Sequence, residues 1–109
     1  IDRLEHPGGI LELRLNRPPA NALSPELIAA LETAVAGAPG AGARALVLSG
    51  RPGMFSAGLD VPALLQLGRD EIRETWRVLY AALRSLAASP IPVTAAITGH
   101  SPAGGAVLS

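Results

Sequence analysis

Twice in this chain a short apolar run leads through a loop of glycine and small residues into a helix start. The first instance is Arg44-Ala45-Leu46-Val47-Leu48-Ser49, followed by Gly50-Arg51-Pro52-Gly53-Met54-Phe55-Ser56-Ala57-Gly58-Leu59-Asp60. The second is Val93-Thr94-Ala95-Ala96-Ile97-Thr98, followed by Gly99-His100-Ser101-Pro102-Ala103-Gly104-Gly105. Continuous apolar runs of this length read as strands buried on both faces. Strand, loop and helix in succession predict an α/β chain, and such proteins place their ligand sites beyond the carboxyl ends of strands.

The rest of the chain fits around these units. Ile1–His6 and Ile10–Asn16 flank Pro7-Gly8-Gly9 and predict a hairpin. In the second strand Leu11, Leu13 and Leu15 form a buried face, while Ile10, Glu12, Arg14 and Asn16 form a mostly wet one. The paired Pro18 and Pro19 exclude helix from the next segment. Ser24-Pro25-Glu26 then combines a hydroxyl N-cap, a first-turn proline and an acid near the positive end. Leu27, Leu31 and Val35 predict one buried stripe on a helix that stops at Gly37. Asp60 can cap a short helix over Val61–Leu67, and a longer helix is expected from Glu71 to Ala88. Its apolar stripe is Ile72, Trp76, Leu79, Tyr80, Leu83 and Leu86.

Composition narrows the function. The 109 residues suit one domain, and 49% hydrophobic with 17% charged supports a packed core. Net charge is zero, with scattered arginines and 3% aromatic residues, which argues against a nucleic-acid surface. There is no cysteine, so disulfides and thiolate metal sites are excluded. His6 and His100 stand far apart without a carboxylate cluster, so no metal is expected. His6 reads as a surface residue and His100 as a loop spacer. The serines show no hydrolase constellation. With no basic-then-apolar leader at Ile1 and no run of about 18 apolar residues, a soluble, cytoplasmic protein is expected.

The two loops invite a specific chemistry. Their small residues let backbone N–H groups approach a ligand closely. One N–H from each loop, converging on a carbonyl oxygen, would form an oxyanion hole that stabilises a developing enolate. The alternative is that both are simply tight strand-to-helix turns. Neither loop matches GxxxxGK[ST] or GxGxxG.

Three segments carry a resemblance. Phe55-Ser56-Ala57-Gly58-Leu59-Asp60 is similar to the F-[SA]-A-G-x-D segment of the crotonase (enoyl-CoA hydratase/isomerase) superfamily. Ile91-Pro92-Val93-Thr94-Ala95-Ala96-Ile97-Thr98-Gly99, with Pro102-Ala103-Gly104-Gly105, resembles its second signature. Leu15-Asn16-Arg17-Pro18 with Asn21-Ala22-Leu23 resembles its L-N-R-P…N-A-L opening. Read this way, residues 1–109 are the N-terminal portion of a single crotonase-like domain. The resemblance implies a core of repeated ββα units, truncated before the C-terminal helical trimerisation region. It further implies an acyl-CoA thioester as partner, coenzyme A entering only as part of the substrate, and a homotrimer or dimer of trimers. The Leu59 and Gly104 amides would be the oxyanion donors. Ser56, Ala57, Gly58, Leu59, Asp60 and Gly104 would border the coenzyme A groove, with helix capping an equal claim on Asp60.

Where this sequence departs from the pattern, the chemistry shifts. In hydratases the helix after the second signature carries a water-activating glutamate, and Val107 stands there here. No carboxylate follows Glu74. The two loops look closer to those of the Δ3,Δ2-enoyl-CoA isomerases, which move a double bond with a single base. Isomerisation is therefore expected ahead of hydration, with the base outside residues 1–109. The other readings are a hydratase-like enzyme or a catalytically incomplete thioester-binding fragment.

Overall fold

The computed structural model describes residues 1–108, positions 104 and 106 only as members of the last helix. Its elements are β1 (Asp2–His6), β2 (Ile10–Arg14), α1 (Pro25–Gly37), β3 (Ala45–Ser49), β4 (Gly53–Met54), α2 (Val61–Leu65), α3 (Arg69–Ala87), β5 (Val93–Ala96), β6 (Gly99–His100) and α4 (Gly104–Leu108). The main sheet runs β1-β2-β3-β5. Its first pair is the expected antiparallel hairpin, and β2-β3 and β3-β5 are parallel.

Alternation along the strands builds the core. Leu11 and Leu13 stand opposite Leu46 and Leu48, which stand opposite Val93 and Ala95. That face is buried by Leu27, Ile28, Leu31 and Val35 of α1. α1 begins as its cap predicts, with Ser24 Oγ accepting from Leu27 N at 3.2 Å. α3 packs on α1 and completes the helical layer.

Several expectations need correction. Helices cover only one face of the sheet, so Thr94 and Ala96 of β5 are exposed and β3 alternates buried with half-buried residues. The strands are therefore not buried on both faces. α3 starts at Arg69 rather than Glu71, with Gly68 at its N-cap. Its buried face centres on Thr75 and Ala82, flanked by partly buried Leu79, Leu83 and Leu86. Trp76 (41% exposed) and Tyr80 (64%) lie off that centre, stacked on each other outside the core. β4 and β6 were expected as loop; each is a two-residue strand.

On the uncovered face, Glu12 gathers donors from its own strand and from both neighbouring strands. Ser49 Oγ lies 2.6 Å from Oε2, His6 Nε2 lies 2.8 Å from Oε1, and Arg14 donates through Nε and Nη2 at 3.2 and 3.1 Å. The Ser49 hydroxyl first, then His6 and Arg14, hold the Glu12 carboxyl below its ordinary range against the opposing effect of burial. Among the described residues no helix is long and apolar enough to cross a membrane.

Candidate active site

Because β3 and β5 are parallel neighbours, the loops that follow them leave from the same edge of the sheet. The first loop doubles back at once: Arg51 N donates to Met54 O and Met54 N to Arg51 O, both at 3.0 Å. That brings β4 alongside β6, in parallel register Gly53↔Gly99 and Met54↔His100. Gly53 N donates to Thr98 O at 3.0 Å, Phe55 N to His100 O at 2.9 Å, and Thr98 Oγ1 to Arg51 O at 2.7 Å. Phe55 is fully buried and anchors the loop in the core. Further on, a Cβ on Gly105 would overlap the Ser56 carbonyl oxygen, so only glycine allows α4 to sit this close to the first loop. The two glycine-bearing loops are thus laid side by side.

Within the first loop the backbone donors are almost all engaged. Ser56 N is directed to His100 O at 3.3 Å, Ala57 N to Ala20 O at 2.9 Å and Gly58 N to Ser56 Oγ at 3.1 Å. Asp60 N donates to Leu23 O and Val61 N to Leu59 O, each at 3.0 Å. Among the described residues, Leu59 N–H has no acceptor. Its direction follows from its neighbour. Gly58 O accepts from Leu23 N at 2.7 Å, and in a planar trans peptide the N–H points opposite to the carbonyl. The Leu59 N–H is therefore aimed away from Leu23.

Other expected site residues are placed as follows. Ser56 and Gly58 are buried, while Ala57, Leu59 and Asp60 keep part of their surface open. The Ser56 hydroxyl is used internally, donating to Asn21 O at 2.8 Å. Asp60 caps α2 through Ala63 N at 3.1 Å and pairs with Arg17 Nη2 at 2.7 Å. Gly104 opens α4, but its amide contacts lie outside the described residues. Val107 is exposed and lines a pocket of about 270 Å³ with the aliphatic side chains of Leu83, Leu86, Val93, Ala95 and Leu108. A pocket of about 320 Å³ at the opposite edge of the sheet, beside Gly9 and Gly42, contains neither loop. The Ser101 hydroxyl, packed near Gly105, is buried and has no partner among the described residues.

Sequence reasoning gave no role to Asn21, which the structure makes a hub. It is fully buried with φ of 51°, and its carboxamide ties Leu15 O, Phe55 O and Arg17 N together. A polar residue inside an otherwise apolar and proline-rich passage was the available signal.

A profile of the enoyl-CoA hydratase/isomerase family matches residues 5–109. The chain belongs to the enoyl-CoA hydratase/isomerase family. Within it, the chain is 36% identical to the Mycobacterium tuberculosis protein named "Probable enoyl-CoA hydratase EchA17", over 93% of this chain and 39% of that one. It is 31% identical to mouse "Enoyl-CoA delta isomerase 1, mitochondrial", over 96% of this chain and 37% of that one. The crystal structure of human mitochondrial delta3-delta2-enoyl-CoA isomerase superposes with a TM-score of 0.87 at 28% identity, covering 98% of this chain and 43% of that one. The crotonase-type α/β fold that the resemblance implied is therefore present, and the chain spans about two fifths of the length of these relatives.

Proposed function

We propose that this chain supplies the thioester-binding part of an acyl-CoA enzyme. In this reading the Leu59 N–H, joined by that of Gly104, polarises the thioester carbonyl and stabilises the enolate formed when an adjacent proton is removed. The single observation that carries the reading is the Leu59 amide. Among the described residues it has no acceptor in a run of otherwise engaged donors, and its carbonyl-side neighbour fixes its direction. A ready-oriented donor of this kind needs no reorganisation as negative charge develops, and removing one typically costs about 3 kcal/mol of barrier. Main-chain groups do this work, so the leucine side chain at position 59 is compatible with it. Ala57, Leu59 and Asp60, which keep open surface, would border the coenzyme A moiety.

Isomerisation is preferred to hydration on one observation. Val107 stands where hydratases of the family carry glutamate, and the side chains lining the pocket beside it are aliphatic rather than acidic. Proton transfer needs a positioned base, and no Asp or Glu occurs between positions 75 and 109. The base is assigned to the part of the whole protein outside this segment, and the working assembly to a homotrimer or dimer of trimers. The test is to follow the full chain with a 3-enoyl-CoA and with a 2-enoyl-CoA. Conversion of the first to the 2-enoyl isomer is expected; water addition to the second as the only activity would reject the isomerase assignment.

A further inference from the structure

The loop geometry depends on one buried polar residue. We propose that Asn21 is a positioning residue for the thioester site, acting with Ser56 to aim the Leu59 amide; this rests on the reading of that amide as a carbonyl-binding donor. Asn21 Oδ1 accepts from Arg17 N at 2.7 Å, and Nδ2 donates to Leu15 O at 2.8 Å and Phe55 O at 3.1 Å. One side chain thereby fastens the residue just after β2 to the residue just after β4. The main-chain carbonyl of Asn21 accepts from Ser56 Oγ at 2.8 Å, and Ser56 Oγ accepts from Gly58 N at 3.1 Å. These links run from Asn21 to the residue whose carbonyl belongs to the same peptide unit as the Leu59 N–H.

Leu23, two residues after Asn21, grips the segment on both sides of Leu59: its N–H reaches Gly58 O at 2.7 Å and its carbonyl takes Asp60 N at 3.0 Å. A donor bound to a peptide carbonyl polarises the whole amide and strengthens the N–H at its other end. The Leu23–Gly58 bond therefore both aims the Leu59 N–H and sharpens it as a donor. Holding Leu23 in register depends on the turn at Asn21, whose φ of 51° is unusual for a non-glycine residue. A turn alone would be served by glycine. The carboxamide adds something a turn does not require, namely bonds to both segments that flank the donor loop.

The test compares wild-type full-length enzyme with Asn21→Gly, which keeps the turn and removes the carboxamide, and with Ser56→Ala, which removes only the hydroxyl link. The readout is the carbonyl stretch of a bound acyl-CoA labelled with ¹³C at the thioester carbon, measured by difference infrared spectroscopy alongside kinetics. In wild type, binding should lower the stretching frequency. Asn21→Gly should lose most of that shift, with kcat down about tenfold to a hundredfold and KM changed by less than about threefold. Ser56→Ala should move both in the same direction by less. A full shift in both variants, with lowered thermal stability alone, would reduce Asn21 to a structural residue and overturn the proposal. If Asn21→Gly does not fold, Ser56→Ala decides by the same criterion. Absence of any shift in wild type would instead defeat the carbonyl-binding reading, and the aiming role with it.

Discussion

At the scale of single residues, Glu12 shows what a polar position does on the open face of a sheet. Its carboxylate draws His6 from β1, Arg14 from its own strand and Ser49 from β3, so three strands share one anion. The alternation of β2 predicted that Glu12 faces away from the core, but its partners could not be read, because register across β1 and β3 is a tertiary property. The Ser49 hydroxyl is the largest cause of a carboxyl pKa below the ordinary 4.5. A group whose folded pKa is depressed stabilises the fold above its unfolded value and loses that contribution as pH falls through the folded one. The melting temperature of Glu12→Gln should therefore lie furthest below wild type when measured above pH 4.5, and the gap should close on acidification below it. A gap that is constant with pH would show that the bonds to Glu12 do not depend on its charge.

At the scale of elements, the two glycine-bearing loops were legible because glycine, proline and small residues mark where a strand ends and a backbone must come close. The hairpin, α1 with its Ser24 cap and the order of strands and helices were legible for the same local reasons. The pairing of β4 with β6 was not: Gly53-Met54 and Gly99-His100 are too short to show alternation, and they meet only because β3 and β5 are adjacent. Nor was the placement of Trp76 and Tyr80, since helical spacing gives a stripe's direction but not how wide a neighbour covers it. Contact between the loops has a direct test in Gly105→Ala. The added methyl would collide with the Ser56 carbonyl, so α4 must shift. Such overpacking costs about 1–3 kcal/mol. Proteolysis should then cut more readily near α4, whereas unchanged protection would mean that this contact does not hold the helix.

At the scale of the whole molecule, the chain is a slab with extents of 43 × 29 × 18 Å, a four-stranded main sheet under one layer of helices. Stability is concentrated between those layers. Leu13→Ala, at a position 1% exposed, should cost about 2–5 kcal/mol in denaturant unfolding. Trp76→Ala, on the outer face of α3, should cost much less; equal losses would mean that the slab is held together in some other way. The same outer face gives the molecule an optical handle. Trp76 is the only tryptophan of the chain and Tyr80 the only tyrosine, with ring centroids 6.0 Å apart. Light absorbed by the tyrosine passes to the indole, so the emission of residues 1–109 reports one spot on one helix. Whatever comes to rest against α3 will shift the colour of that emission.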